Sequence, residues 1–397
     1  MSRLLLRAEL FFRNRLPLLD GFLLSFFPPR AHGNRVLVVR LDAIGDFVIW
    51  LDAARALVRY YHLKGYSVVL LGNKAWASWA REMGVADEVW EIDVIQFIQS
   101  SKYFTYRWQW LKKIRKAGFE IAIQPAYSRV ILTGDTLVRA SGAVERIGSA
   151  GDESNITPQS KSWSDRWYTR LIPATSTQLM ELKRNAEFMR GLGFTEFKSR
   201  LPTIPQTSSE QTNWLPQQPY AVLAPAANWV GREWPIDNFI EIGRRLAKVG
   251  LHIAVVGAAA DRESIGGLIE SLPRESVDLV GKTTLSELAE VLRRATIVVT
   301  NETGAVHIGS AVDAPVVCIL GGGHFGRFVP YEIDAYDENR NLPIVVTTSM
   351  TCFGCNWKCI YPHQNAAAVK CIQDISVDMV WKAVEIVLAK RDDKMSA

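Results

Sequence analysis

The sequence predicts an α/β protein built from two doubly wound, Rossmann-like domains that face a cleft. Short apolar runs rich in β-branched residues alternate with helical patterns along most of the 397 residues. This alternation is typical of parallel sheets covered by helices on both faces. It stops at a stretch rich in Pro, Gln, Ser and Thr, and then starts again. The length by itself is compatible with two domains or with one large domain.

The domain boundaries follow the points where the pattern changes. We assign residues 1–34 to an amphipathic basic leader, 35–200 to the first domain and 201–219 to a linker without periodicity. Residues 220–350 form the second domain, and 351–397 form a cysteine-rich tail with a final helix over Ser376 to Leu388.

The composition excludes several classes of protein. Hydrophobic residues make up 48% and charged residues 22%, which is ordinary for a globular protein with a large core. The net charge of +5 suggests an anionic ligand or surface, but it is too small to indicate nucleic-acid binding. No run approaches the ~18 apolar residues of a transmembrane helix.

The leader interleaves arginines with leucine and phenylalanine. Its arginines are Arg3, Arg7, Arg13 and Arg15, and its apolar residues include Leu4 to Leu6, Phe11, Phe12, Leu16 and the cluster from Phe22 to Phe27. The arginines interrupt the apolar part and no small-residue cleavage site follows, so a signal peptide is not indicated. The pattern fits a helix lying on an anionic membrane surface or a helix packed on the protein itself.

In the first domain, Arg35 to Val39 predicts the first strand, and a helix from about Phe47 to Tyr61 follows the loop segment RLDAIGD. Such a strand, glycine turn and helix place polar groups at the carboxyl end of a strand. Further strands are predicted at Ser67 to Leu71, Glu88 to Ile92, Glu120 to Gln124 and Ile147-Gly148. The aromatic and basic segment Lys102 to Lys116 faces either a phosphorylated ligand or solvent.

The second domain repeats the alternation. Strands are predicted at Tyr220 to Ala224, His252 to Val256, Val277 to Val280, Ile297 to Thr300 and Val316 to Leu320. Helices are predicted at Ile236 to Val249, Asp261 to Ser271, Leu285 to Arg294 and Ala305 to Val312.

Two loops of this domain are candidates for anion binding. The turn before Ala305 contains Thr303 and Gly304, where unpaired helix N–H groups and the helix dipole favour phosphate, and His307 lies one turn further on. An ordinary capped helix gives the same pattern. In the loop after Ala224, Arg232 can pair with phosphate and Asn228 can donate a hydrogen bond to it, unless Arg232 is only a surface residue.

Other motifs narrow the chemistry. Gly321-x-Gly323-x-x-Gly326 matches a dinucleotide fingerprint, but Pro330 prevents the helix that should follow and the expected acidic residue is missing. The sequence has no P-loop and no Asp-x-Asp pair, which favours chemistry without a metal.

The cysteines present a separate hypothesis. Cys352, Cys355, Cys359 and Cys371 have the spacing of a zinc or cluster site, with His363 nearby. A structural metal, disulfides and free thiols all remain open, whereas Cys318 lies in a predicted buried strand and is expected to be inert.

Four segments carry a resemblance to a known family. RLDAIGD, APAANWVGREWP, GKTTLSELAEVLRRA and TNETGAVHIGSA occur in this order in the sequence. Together they resemble glycosyltransferase family 9, the heptosyltransferases of lipopolysaccharide core assembly. The resemblance extends from about Arg35 to the final helix.

The resemblance implies a GT-B fold and inverting transfer from a nucleotide-diphosphate sugar. Asp46 matches the family's general base, and Thr303 and Gly304 with a cation would hold the leaving diphosphate. That cation is usually lysine in the family and is Arg232 here, while Glu302 replaces the family's aspartate. By similarity, Thr283 would lie at the nucleobase and Asp261 near the ribose, and the final helix would cross back onto the first domain.

We therefore expect an inverting transferase that needs neither cofactor nor metal, with ADP-heptose among the candidate donors. Its acceptor would be a lipopolysaccharide core or related lipid-linked saccharide, at the cytoplasmic face of the bacterial inner membrane. Two alternatives remain from the sequence: a sugar-nucleotide epimerase of the same fold, and a non-enzymatic metal-containing binding protein built around the cysteine tail.

Overall fold

The computed structural model describes residues 16–30, 33–206, 215–362 and 367–396. The chain divides into two compact units: residues up to Thr177 with Arg184–Phe197, and Gln178–Lys183 with residues from Lys198 onward. Residues 1–15 of the predicted leader, 207–214 of the predicted linker, and His363 lie outside the described residues.

The first unit contains a parallel six-stranded sheet in the order β3-β2-β1-β4-β5-β6. Its strands are β1 (Gly33–Arg40), β2 (Ser67–Asn73), β3 (Glu88–Ile92), β4 (Phe119–Gln124), β5 (Glu145–Ser149) and β6 (Arg170–Ile172). Its helices are α1 (residues 16–25), α2 (Ile44–Leu63), α3 (Ala77–Glu82), α4 (Val94–Ile98), α5 (Ser100–Lys116), α6 (Thr136–Ser141) and α7 (Pro158–Asp165). The boundary between the units falls within α8 (Glu181–Leu192).

The second unit repeats this topology in the order β12-β11-β10-β7-β8-β9, again with parallel strands. Its strands are β7 (Tyr220–Ala224), β8 (His252–Val255), β9 (Val277–Asp278), β10 (Ile297–Asn301), β11 (Val316–Ile319) and β12 (Ile344–Val346). Its helices are α9 (Ile236–Lys248), α10 (Arg262–Ser271), α11 (Leu285–Arg294), α12 (Gly304–Ala311), α13 (Lys370–Gln373) and α14 (Val377–Ser396).

The central strands are apolar throughout because helices cover both faces of each sheet. All five residues of β7 and all five of β10 are buried. These strands therefore read as continuous hydrophobic runs rather than as alternating patterns. The predicted α/β fold with two doubly wound sheets is confirmed.

Two short strands are missing from the sequence prediction. Both β6 and β12 have three residues and lie at the edge of a sheet. An edge strand has one neighbour and stays partly exposed, so its sequence carries less of the apolar signal that marks the central strands.

The final helix contributes to the core of the second unit. Val380 and Val384 of α14 are fully buried in the cluster that also contains Val299 of β10. Its expected crossing onto the first domain stays a prediction. Of the helices in the described part of the chain, none combines the length and apolar character needed to span a bilayer.

Candidate active site

The predicted donor-binding residues follow four neighbouring strands of the second unit. Asn228 and Arg232 follow β7, Asp261 follows β8, Thr283 follows β9, and Glu302, Thr303 and Gly304 follow β10. The carboxyl ends of parallel strands meet at one edge of a sheet. The strand order reverses between β7 and β10, which is the position where open α/β sheets bind ligands.

A buried asparagine joins the two loops at this reversal. The side-chain oxygen of Asn301, the last residue of β10, accepts a hydrogen bond from the Trp234 backbone N–H at 3.1 Å. Its amide nitrogen donates to the Pro225 carbonyl oxygen. Asn301 thus ties both ends of the loop after β7 to the end of β10, a role that the sequence alone did not predict.

The two departures from the family pattern form one ion pair. The Arg232 Nη2 atom lies 2.6 Å from the Glu302 carboxylate and also donates to the Glu302 carbonyl oxygen at 2.6 Å. Its Nη1 donates to the Asn228 side-chain oxygen at 3.0 Å. Arginine supplies both nitrogens in a fixed planar geometry, which a lysine cannot do.

The electrostatic balance of this pair depends on both partners. Burial raises the pKa of Glu302, and Arg232 opposes that effect. The Asn228 oxygen faces Arg232, so its amide nitrogen is the group left to donate to a ligand. The structure therefore places a cation, its counter-ion and an amide together beside the start of α12.

The loop that carries Cys352, Cys355 and Cys359 packs against Arg232 and the loop after β7. The Trp357 ring lies 5.3 Å from the Arg232 guanidinium and 5.8 Å from the Trp229 ring. The loop approaches because residues 321–323 are glycines: a Cβ at Gly323 would lie 2.3 Å from the Trp357 ring, and one at Gly322 2.2 Å from Phe353. The triple glycine was the sequence signal for this close packing.

Thr303 caps helix α12. Its hydroxyl oxygen accepts from the Ala305 backbone N–H at 3.4 Å, and its carbonyl oxygen accepts from the Val306 N–H at 3.2 Å. Thr303 and Gly304 are both partly exposed. The helix start is therefore accessible, and its dipole favours a negative charge there.

His307 is a buried, neutral side chain. It is 4% exposed, and its Nδ1 lies 2.7 Å from the Tyr331 hydroxyl. Burial lowers the pKa of His307 to about 4, with a further contribution from Arg232. At neutral pH the imidazole therefore offers a ligand hydrogen bonding but no charge. Its role in donor binding stays a prediction.

This burial predicts a pH-dependent stability. The unfolded chain protonates His307 near pH 6.5 and the folded chain only near 4, so the unfolded state binds more protons in that window. We expect the His307 contribution, about 3 kcal/mol, to be lost as the pH falls from 6.5 to 4. Denaturant unfolding across this range should show a steeper loss in the wild type than in H307Q, and equal slopes would contradict the prediction.

Asp261 and Thr283 lie on adjoining loops. A Cβ at Gly281 would lie 2.7 Å from the Ala259 Cα, so only glycine permits this approach of the loop after β9 to the loop after β8. One Asp261 oxygen accepts a hydrogen bond from the Ala258 N–H at 2.7 Å, so this carboxylate also stabilises its own loop, in addition to its predicted contact with the ribose. Thr283 is partly exposed and precedes Thr284, the capping residue of α11.

A cavity of about 410 Å³ lies between the loop after β7 and helix α10. Trp234 and Ile236 line one side, Ser264 and Ile265 of α10 another, and Ala368 a third. Its mixed apolar and polar lining suits part of a small organic ligand.

In the first unit, Asp46 lies in the first turn of α2, directly after the central strand β1. The side chain is partly exposed, and the preceding Ala43 provides no side-chain cap. Asp46 therefore occupies the carboxyl edge of its sheet, as the sequence predicts, and its role as general base stays a prediction.

The cysteines are free thiols in the structure. Burial raises the pKa of Cys371, and the nearby Cys352, Cys359 and Cys355 raise it further. The Cys371 sulfur also accepts a hydrogen bond from the Gly322 N–H at 3.3 Å. Among the described residues, no three His, Cys, Asp or Glu side chains are arranged to hold a metal ion. A structural metal in this tail stays a hypothesis.

Known proteins resemble this chain in sequence. The model of glycosyltransferase family 9 (heptosyltransferase) matches residues 107–352, more than half of the chain. Lipopolysaccharide heptosyltransferase 1 of Pseudomonas aeruginosa is 23% identical over 327 residues, which cover 80% of this chain and 87% of that protein.

Two solved structures share the fold. The family 9 glycosyltransferase of Veillonella parvula has a TM-score of 0.66 at 16% identity and covers 90% of this chain and 98% of its own. Escherichia coli heptosyltransferase WaaC has a TM-score of 0.60 at 20% identity, covering 89% and 99%. The family model and the heptosyltransferase relative favour a transferase over the epimerase and non-enzymatic alternatives. This chain belongs to glycosyltransferase family 9, the heptosyltransferase family, and is a glycosyltransferase.

Proposed function

We propose that this glycosyltransferase inverts the anomeric centre as it moves a sugar from a nucleotide-diphosphate donor to a lipopolysaccharide core or related glycolipid, without a divalent metal. The arrangement that supports this proposal is the one at the end of β7 and β10, where Arg232 adjoins the start of α12. A cation and a helix dipole there would take up the negative charge that develops on a leaving diphosphate.

In the proposed reaction, Asp46 accepts the proton of an acceptor hydroxyl. The hydroxyl oxygen forms a bond to the anomeric carbon while the bond from that carbon to the diphosphate oxygen breaks, and the electron pair leaves with the nucleoside diphosphate. Arg232 would bind the departing phosphate oxygens bidentately. To do so, it would exchange part of its contact with Glu302 for the ligand, and Asn228 would donate a further hydrogen bond.

We name ADP-heptose as the proposed donor, to be tested against other nucleotide sugars. The Escherichia coli enzyme WaaC has been crystallised with ADP-2-deoxy-2-fluoro heptose. Asp261 and Thr283, on the adjoining loops, would contact the ribose and the nucleobase. Glu302 would lie nearest the transferred sugar.

We also place the reaction on the cytoplasmic surface of the inner membrane, where a lipid-linked acceptor would be available. The basic and apolar leader supports this location. Deletion of residues 1–15, which leaves the buried Asp20 of α1 in place, should weaken binding to vesicles in a sedimentation assay, and unchanged binding would contradict a role for this part of the leader.

The donor is tested by thermal unfolding of the purified protein with nucleotide diphosphates and nucleotide sugars, with and without EDTA. A ligand at 100 times its Kd should stabilise the protein by about 2.7 kcal/mol. Stabilisation by ADP or ADP-heptose that survives EDTA would support the proposal. Stronger stabilisation by UDP or GDP than by ADP would assign a different nucleotide sugar as the donor. Absence of any nucleotide effect, with a melting temperature lowered by EDTA, would instead indicate a metal-dependent cysteine tail and contradict the proposed donor site.

A further inference from the structure

Helix α1 presents an apolar face to solvent. Phe22 and Phe26 are 62% and 65% exposed, and Leu18 and Leu19 are 55% and 43% exposed. Positions 18 and 22 have the four-residue spacing that lies along one face of a helix, and Phe26 follows just after the helix ends, with its ring centroid 5.1 Å from that of Phe22. A surface helix of a globular domain normally turns its polar residues toward solvent, whereas the exposed face of α1 is apolar.

The inward side of α1 is fixed to the first unit. The buried Asp20 carboxylate accepts from Arg107 through two nitrogens, with Nη2 at 2.6 Å, and both side chains are at most 2% exposed. Leu16 and Leu24 are buried on the same side. Rotating the helix to hide its apolar face would break this buried ion pair, which is costly. The outward apolar face is thus a fixed feature of the fold.

A basic pocket of about 370 Å³ adjoins this helix. Gly21, Leu24 and Ser25 line it on the α1 side. The other side is lined by four arginines and a tryptophan: Arg115, Arg139, Arg146, Arg166 and Trp167.

Glycines allow two of these arginines to come close. A Cβ at Gly21 would lie 2.2 Å from the Arg139 Nη2 atom, and a Cβ at Gly142 would lie 2.2 Å from the Arg115 Nη1 atom. Arg115 Nε donates to the Phe27 carbonyl oxygen at 2.8 Å, and Arg139 Nη1 donates to the Pro17 carbonyl oxygen at 2.9 Å. Neutral carbonyls hold the arginines in position but leave their charge uncompensated.

No ion pair links these four arginines to a carboxylate within the part of the chain that the structure describes. The Asp20 carboxylate attracts Arg139 and opposes the effect of burial on the Arg139 pKa, but this carboxylate is already bound by Arg107. Burial lowers the pKa of Arg115, Arg139 and Arg146, and repulsion from Arg146 lowers that of Arg115 further. An anion in the pocket would relieve this repulsion.

We propose that this pocket binds the phosphate headgroup of an anionic phospholipid while the exposed face of α1 enters the lipid layer beside it. Guanidinium groups bind phosphate oxygens bidentately, and exposed phenylalanines next to basic residues are typical of interfacial helices. Residues 1–15 contain four arginines and one acid, Glu9, so their net charge has the same sign as that of the pocket. A phospholipid has an acyl layer that the apolar face of α1 can enter, whereas a free phosphate ion would leave that face exposed.

The pocket is separate from the proposed catalytic edge of the first unit. Arg115 precedes β4, and Gly142 and Arg146 lie just before and within β5 at its start. These are the amino ends of parallel strands, whereas Asp46 follows the carboxyl end of β1. The inference rests on the membrane-surface location proposed above but not on the transfer reaction.

The test is sedimentation of the full-length protein with phosphatidylcholine vesicles, with and without phosphatidylglycerol. Each basic residue near an anionic surface contributes about 1 kcal/mol, which is about fivefold in binding. We therefore expect R166E, which changes the charge by two units at an exposed position, to weaken binding to the phosphatidylglycerol vesicles by about twenty-fold or more. F22S/F26S should weaken binding as well.

The matched control is R59E, which makes the same charge change at an exposed arginine of α2 outside the pocket. R59E should bind vesicles nearly as the wild type does, and nucleotide-induced stabilisation should be unchanged in all variants. Equal losses in R59E and R166E would overturn the pocket in favour of diffuse attraction. Unchanged binding in R166E would also overturn it, and so would stabilisation by inorganic phosphate without vesicle binding. If the wild-type protein binds neither kind of vesicle, the proposed headgroup pocket and the membrane location are both wrong. The transferase proposal would remain intact.

Discussion

The variant D46N is expected to lose about 10²–10⁴-fold in the rate of sugar transfer, because an amide cannot accept the proton of the acceptor hydroxyl. The position of Asp46 in the first turn of α2, after the central strand of its sheet, is the basis of this expectation. The rate should be measured as nucleoside diphosphate released in the presence of the acceptor. Nucleotide-induced stabilisation should stay unchanged, since donor binding is assigned to the second unit.

A matched control separates catalysis from the effect of a helix dipole. Asp237 is an exposed carboxylate in the first turn of α9, so D237N removes a charge from a similar place in a helix. Each variant should lose at most about 0.3–1 kcal/mol of stability from the dipole. If D46N were as active as D237N, Asp46 would be only a helix-start carboxylate.

The variant R232M is expected to lose about 10²–10³-fold in turnover, because it removes the cation proposed to stabilise the leaving diphosphate. It should also lose about 3–5 kcal/mol of stability, because the buried Glu302 carboxylate would be left without its partner. Activity and denaturant unfolding measure the two effects independently.

The double variant R232M/E302Q distinguishes donor binding from folding. Replacing the carboxylate by an amide removes the unpaired charge, so most of the lost stability should return while the protein stays inactive. Recovery of activity together with stability would show that Arg232 acts only through the fold. R245M is a suitable control, since Arg245 forms partly exposed ion pairs with Glu241 and Asp378 that should each contribute less than about 1 kcal/mol.

The sequence was sufficient for the main architecture. The buried runs of β1, β7 and β10 identified the central strands because their side chains are covered on both faces. The loops that follow such strands are where α/β proteins bind ligands, so the chain pattern alone was enough to single out Arg232 and Thr303. The short edge strands β6 and β12 were not predicted, because a partly exposed edge strand has little of the apolar pattern that marks a buried one.

The sequence by itself thus determined the fold class, the succession of the main strands along the chain and which loops meet at the edge of each sheet, since these depend on local periodicity and strand direction. Only the tertiary structure decided the partners: Glu302 for Arg232 across 70 positions, Trp357 beside Arg232, and Tyr331 for His307. It alone brought four arginines together beside α1. The physical reason is that a contact between distant residues depends on how helices and loops pack, and no local pattern in the chain records that packing.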